Sequence, residues 1–94
     1  MEASEMNQIH LFGEMDLDLS DSASDIFKKA FDIAEACGYF VEAFNDHIDV
    51  RGEDCHDSIY IIYRLHIENK KIVGITKHIH KAYTDELVKM EIVL

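Results

Sequence analysis

The stretch from Ser22 to Cys37 constrains the fold of this chain more than any other. At 100° per residue, Ile33, Ile26, Cys37, Ala30, Ala23, Ala34, Phe27 and Phe31 fall in order within one arc of about 160°. Asp21, Asp25, Lys28, Asp32 and Glu35 take the opposite side. A helix with one apolar stripe has to bury that stripe against another layer. Its ends are also written in the sequence. Ser22-Ala23-Ser24-Asp25 has capping-box spacing, in which a hydroxyl and a carboxylate satisfy free backbone N–H groups at a helix start. Gly38 stands where a left-handed C-terminal cap belongs. The pattern predicts a helix over 22–37 and, with it, a sheet for the helix to cover.

The rest of the chain supplies strand signals. Ile9, Leu11, Leu17 and Leu19 alternate with polar residues on either side of Gly13, which reads as a strand or a pair of short strands. Residues 39–51 are rich in aromatic and branched side chains, but Asn45-Asp46 breaks the alternation, giving one bent strand or two short ones. Residues 58–68 and 72–81 form a hairpin around Asn69-Lys70-Lys71. A two-residue turn would set Tyr63 and Leu65 beside Thr76 and Gly74. A three-residue loop aligns Ile59, Ile61, Tyr63, Leu65 and Ile67 with Val73, Ile75 and Ile79, and is preferred because it joins the apolar faces. The other face then carries Tyr60, Ile62, Arg64 and His66 opposite Ile72, Thr76, His78 and His80. After Thr84, a hydroxyl cap followed by Asp85 and Glu86 argues helix while the terminal Val, Ile and Leu argue strand; helix is preferred.

The expected fold is therefore α+β, a two-layer sandwich in which an antiparallel sheet of three to five strands is covered by helix 22–37. The expected order is β-α-β-β-β followed by a short C-terminal helix or strand. A chain of 94 residues is one domain, with about 65% of its unfolded surface buried on folding by area scaling. Residues 1–6 are polar and expected to fray.

Charge narrows the partners. Nineteen acids against nine Lys and Arg give a net charge of −10, which repels the phosphate backbone that dominates nucleic-acid affinity and disfavours an anionic membrane surface. Residues 1–57 hold fifteen acids and three bases, 3 − 15 = −12, and residues 58–94 hold four acids and six bases, 6 − 4 = +2. One half is an acidic block. No apolar run reaches the roughly 20 residues of a membrane span, and the N-terminus lacks a signal-peptide pattern, so a cytoplasmic protein is expected. Cys37 and Cys55 lack CxxC spacing and are expected as free thiols, Cys37 packed on the apolar arc.

Candidate chemistry is sparse. His78-Ile79-His80 sets two imidazoles on one strand face about 6.6 Å apart, the start of a metal site but only half of one. Asp54-Cys55-His56-Asp57 gathers a thiol, an imidazole and carboxylates, yet sequence neighbours rarely make catalytic geometry and flanking carboxylates oppose thiolate formation. The acids Asp46, Asp49, Glu53, Asp54 and Asp57 do not fit a calcium loop, since a loop starting at Asp46 would have Ile48, Val50 and Arg51 at positions 3, 5 and 6. The four glycines are too scattered for a phosphate loop, and the serines match no nucleophile motif. No enzyme, cofactor or metal is expected.

The leading expectation is a small acidic protein-binding domain acting as an inhibitor. It would occupy a basic, nucleic-acid-type groove on a larger protein such as a nucleic-acid-processing enzyme, as anti-defence or immunity-type proteins do. Asp16, Asp18, Asp21, Asp25, Asp32 and Glu35 are the first contact candidates and Glu53, Asp54 and Asp57 the second, with electrostatic steering as the mechanism. The rival expectation places a homo-oligomeric or ligand-binding surface, metal-assisted or not, on Tyr60, Ile62, His66, His78 and His80.

Overall fold

The computed structural model describes residues 8–52 and 58–94. It is α+β, with one helix, a two-stranded sheet and a five-stranded antiparallel sheet. β1 (Gln8–His10) and β2 (Asp16–Asp18) pair as a short hairpin. Helix α1 (Ala23–Cys37) follows. Then come β3 (Phe40–Ala43), β4 (His47–Gly52), β5 (Ile59–Glu68), β6 (Lys71–Lys81) and β7 (Leu87–Ile92). The large sheet runs β3-β4-β5-β6-β7, each strand antiparallel to its sequence neighbour. The expected order is met only in part: two short strands rather than one precede the helix, residues 39–51 give two strands rather than one, and the segment after Thr84 ends in a strand.

The caps are where the sequence put them. Ser22, extended at φ −66° and ψ 155°, accepts a hydrogen bond from the Asp25 backbone N–H at 3.2 Å. Gly38, at φ 82°, closes the helix by donating to the Ala34 carbonyl at 2.8 Å. Ala23, Ile26, Ala30 and Ala34 are buried in one cluster with Ile48, Val50, Leu65, Ile72 and Ile75 of the sheet and Leu11, Met15 and Leu17 of the first hairpin. Three alanines at the contact let helix and sheet approach closely. Met15, which alternation does not single out, is fully buried.

Two expected core residues lie outside the core. Phe31 is 41% exposed, and Cys37 is free and exposed. Phe31 sits at the rim of the apolar arc, where a helix on a flat layer loses contact, and Cys37 is the last helical residue. The Phe31 ring instead leans on Phe27, 5.8 Å between centroids.

The β5–β6 hairpin combines both sequence alternatives. The turn is of the two-residue kind: Glu68 pairs with Lys71, and Asn69 and Lys70 both have positive φ, 53° and 66°, the pattern of a type I′ turn. A register shift follows between His66 and Ile67, where Val73 is the extra residue between Gly74 and Ile72. That bulge restores the alignment of the longer loop, so Leu65 faces Ile75 and Ile61 faces Ile79. It also reverses two assignments. Ile72, expected on the open face, is buried, and Val73, expected in the core, is 58% exposed.

The C-terminal segment is strand β7 and not a helix. The Thr84 hydroxyl accepts from the Glu86 backbone N–H, only two residues on, at 3.3 Å, which is a turn contact and not a helix cap. Asp85 is left-handed at φ 59°, which ends any helical start. Edge pairing along β6 then wins over local propensity.

The first hairpin is fixed to the sheet by Phe12, whose ring packs edge-on against Tyr39 at 4.6 Å and leans on Tyr63 at 5.7 Å. Gly13 beside it has φ +52°, and a Cβ there would stand 2.1 Å from the Tyr39 hydroxyl, so a side chain would be strained and would displace the Tyr39 ring. No helix among the described residues is long and apolar enough to cross a membrane.

Two substitutions test this architecture by urea unfolding. Leu65→Ala, at a fully buried position, should lower stability by about 2–5 kcal/mol. Lys70→Gly should raise it by up to about 1 kcal/mol, because an L side chain at positive φ is strained; a lower midpoint for this variant would contradict the turn.

Candidate functional site

One helix covers one face of the sheet, so the five strands present a second face that no helix covers among the described residues. Register determines what stands there. One row crosses the sheet as Phe40, Arg51, Ile62, His78 and Met90; the next as Glu42, Asp49, Arg64, Thr76 and Ile92. Tyr60 pairs with His80 at one end and His47 with His66 at the other. All five residues of the rival surface, Tyr60, Ile62, His66, His78 and His80, therefore share this face.

Their side chains form a connected series. The Arg51 guanidinium lies over the Tyr60 ring, 4.1 Å from its centroid. Tyr60 stacks on His80 at 5.2 Å, and His80 on His78 at 6.4 Å. The Thr76 hydroxyl is 2.9 Å from Nε2 of both His78 and His66, so it can donate to one ring and accept from the other. Tyr60 donates to Asp85 Oδ1 at 2.7 Å, which raises the phenol pKa, first through that hydrogen bond and then through burial. Arg64 binds Asp49 through two hydrogen bonds, at 2.9 and 3.1 Å, and its pKa is raised by that partner. Phe40, Glu42, Asp49, Arg51 and Ile62 line a shallow pocket of about 220 Å³ on the same face.

Phe40, Glu42, His47, Asp49, Arg51, Met90 and Ile92 stand on this face without having been expected there, and the three from β4 had a signal in the sequence. The alternation of His47-Ile48-Asp49-Val50-Arg51 carries the signal, since Ile48 and Val50 are buried and the polar residues between them point the other way. Strand neighbourhood carries none.

The acidic candidates divide. Asp21, Asp25, Asp32 and Glu35 are exposed along α1 and the turn before it. Asp16 is exposed but sits 2.6 Å from His10 Nδ1. Asp18 accepts from the Ser20 hydroxyl at 2.6 Å and the Ser20 backbone N–H at 3.0 Å, and these bonds hold its carboxyl below the usual range. Glu53, Asp54 and Asp57, and with them Cys55 and His56, lie outside the described residues. Among the described residues, the ion pairs that use Lys or Arg are Asp49–Arg64, Lys81–Glu86 and Lys89–Glu91. All three belong to the second half of the fold. The helix pairs the sequence spacing allows, Asp25 with Lys29 and Lys28 with Asp32, are not among them.

No group of three or more His, Cys, Asp or Glu side chains able to hold a metal ion occurs among the described residues. His66 and His78 meet through Thr76, a hydroxyl, with no third ligand type gathered on them.

The His78 imidazole is pushed below its ordinary value, first by burial and then by the positive charges of Arg64, His80 and His66, against a smaller opposing effect of Asp49. The unfolded chain therefore takes up this proton at higher pH than the folded one. The contribution is constant above about pH 6.5, and stability falls as pH drops through and below that value. Asp18, Asp46 and Glu91, whose pKa values are also lowered in the fold, lose their contributions only in the acid range near and below about pH 4. Urea midpoints measured from pH 7.5 to 5 should fall for the wild type and flatten for His78→Gln; equal slopes would contradict the assignment. Compared with protein-family models, curated proteins and solved structures, the chain has no match.

Proposed function

We propose that the protein is a non-catalytic binding domain whose helix side docks into a basic groove on a larger protein, a groove of the kind that otherwise holds nucleic-acid phosphate. The observation that carries this reading is the placement of charge. The Lys and Arg ion pairs lie on the sheet half, whereas Asp21, Asp25, Asp32 and Glu35 point to solvent with no such partner among the described residues. From Asp25 to Glu35 the helix rises about 15 Å, and Asp16 and Asp18 extend the acidic surface onto β2. With a net charge of −10, such a side steers a basic partner from beyond contact distance and then excludes phosphate from its groove. Inhibition by occlusion follows from that geometry and requires no chemistry. Glu53, Asp54 and Asp57 remain secondary contacts in this reading.

A second reading is favoured by the open face, where Tyr60, Ile62, His66, His78 and His80 stand together with Arg51 and Arg64. Here the acidic side serves solubility, and the imidazole and guanidinium groups hold an anionic or flat ligand.

The two readings separate in one experiment. Captured host proteins are compared for the wild type, an Asp21→Lys/Asp25→Lys/Asp32→Lys variant, and a His78→Ala/His80→Ala variant, at low and moderate salt, with duplex DNA as competitor. The helix-side reading expects a partner lost on charge reversal, weakened by salt and displaced by DNA, with the histidine variant unchanged. Capture that survives charge reversal and fails in the histidine variant would overturn it in favour of the open face.

A further inference from the structure

The margin of the sheet, away from the acidic helix side, has a feature of its own. β7 is the last strand, and among the described residues nothing pairs with its outer edge. Edge strands of folded proteins are usually short, interrupted or guarded by charge, because a free row of N–H and C=O groups recruits another strand. β7 is six residues long and strongly apolar, with Met90 54% and Ile92 80% exposed; its one irregularity is Val88, also exposed, the extra residue where the register with β6 shifts, and Lys89 to Ile92 beyond it pair regularly. Its two charges, Lys89 and Glu91, are of opposite sign and flank Met90, with apolar pairs outside them: Leu87-Val88 before and Ile92-Val93 after. The segment is thus self-complementary about Met90.

Geometry fixes which copy can complete it and how. A two-fold axis perpendicular to the sheet sets two β7 strands antiparallel with their open faces on the same side, and residues of one face must then stand opposite one another. The axis therefore falls at a residue. Centred on Lys89 or on Glu91, it would oppose like charges. Centred on Val88 or Ile92, it would set a charge against an apolar side chain. Centred on Met90, it places Lys89 of each copy against Glu91 of the other and Met90 against itself, all within the regularly paired part of the strand. Opposite charges directly across an antiparallel pair stabilise it and like charges destabilise it. Parallel pairing in register would set Lys89 beside Lys89 and is disfavoured for that reason.

We propose that the protein self-associates through β7, pairing antiparallel about Met90 into a continuous ten-stranded sheet. Lys89 and Glu91, already 3.0 Å apart within one strand, would then form with their counterparts a square of alternating charge. The apolar side chains of the edge would be covered, and the two open faces would join into one surface.

The test is a charge swap read by sedimentation equilibrium or light scattering across a concentration series. The wild type is expected to move from 10.8 kDa to twice that mass as concentration rises. Lys89→Glu alone, Glu91→Lys alone and Met90→Lys, which puts two ammonium groups on the axis, should each weaken the dimer by about tenfold or more. Lys89→Glu with Glu91→Lys should restore it, because both cross-strand pairs return with their signs exchanged. All altered positions are on a solvent-facing edge, and circular dichroism with urea unfolding checks that each variant keeps the monomer fold. A wild type that stays monomeric up to about 1 mM, the range of the weakest specific association, would overturn the proposal. So would single variants that dimerise unchanged, or a double variant that does not recover.

Discussion

A helix can cover only one face of a sheet, and the described residues hold one helix of fifteen residues for a sheet of five strands. The rest of the structure is arranged around that contact. Ala23, Ala30 and Ala34 bring α1 down onto Ile48, Val50, Leu65 and Ile75, where Leu65 and Ile75 are direct cross-strand partners. The first hairpin, through Leu11, Met15 and Leu17, adds to the same cluster. What the helix cannot reach is left to the other face and to the margins of the sheet. The polar ladder of the open face, the exposed acids of the helix and the edge of β7, unpaired among the described residues, are three consequences of the same shortage of covering layers.

The open face tolerates exposure because its polar groups satisfy one another. Arg64 has Asp49, the two imidazoles share Thr76, and Tyr60 has Asp85 as well as Arg51 over its ring. No buried side-chain nitrogen or oxygen among the described residues lacks a partner, as folded proteins require. The edge of β7 differs in kind, since backbone groups there can be satisfied only by water or by another strand.

Much of this was legible in the sequence where one period governs a local element. The helix, its Ser22 and Gly38 caps, the break at Asn45-Asp46 and the alignment of Leu65 with Ile75 follow from spacing alone. The misreadings have local causes too. Phe31 and Cys37 have the right period but sit at the rim and end of the helix. Ile72 and Val73 changed faces because one bulge shifts the period of two by a residue. Thr84-Asp85-Glu86 resembles a helix start, yet the left-handed Asp85 makes it a turn into a strand.

The sequence by itself determined the class of fold, the single amphipathic helix, the acidic imbalance and the side of each long strand on which the histidines stand, because period, cap chemistry and charge are properties of neighbouring residues. Only the tertiary structure decided that β4 lies beside β5, bringing Arg51 onto Tyr60 and Asp49 onto Arg64. It alone decided that the last segment is a strand at the edge of the sheet. The reason is physical: which strands become neighbours depends on long-range pairing, whose reward is shared cross-strand contact and burial across the whole sheet and is not written in any one segment.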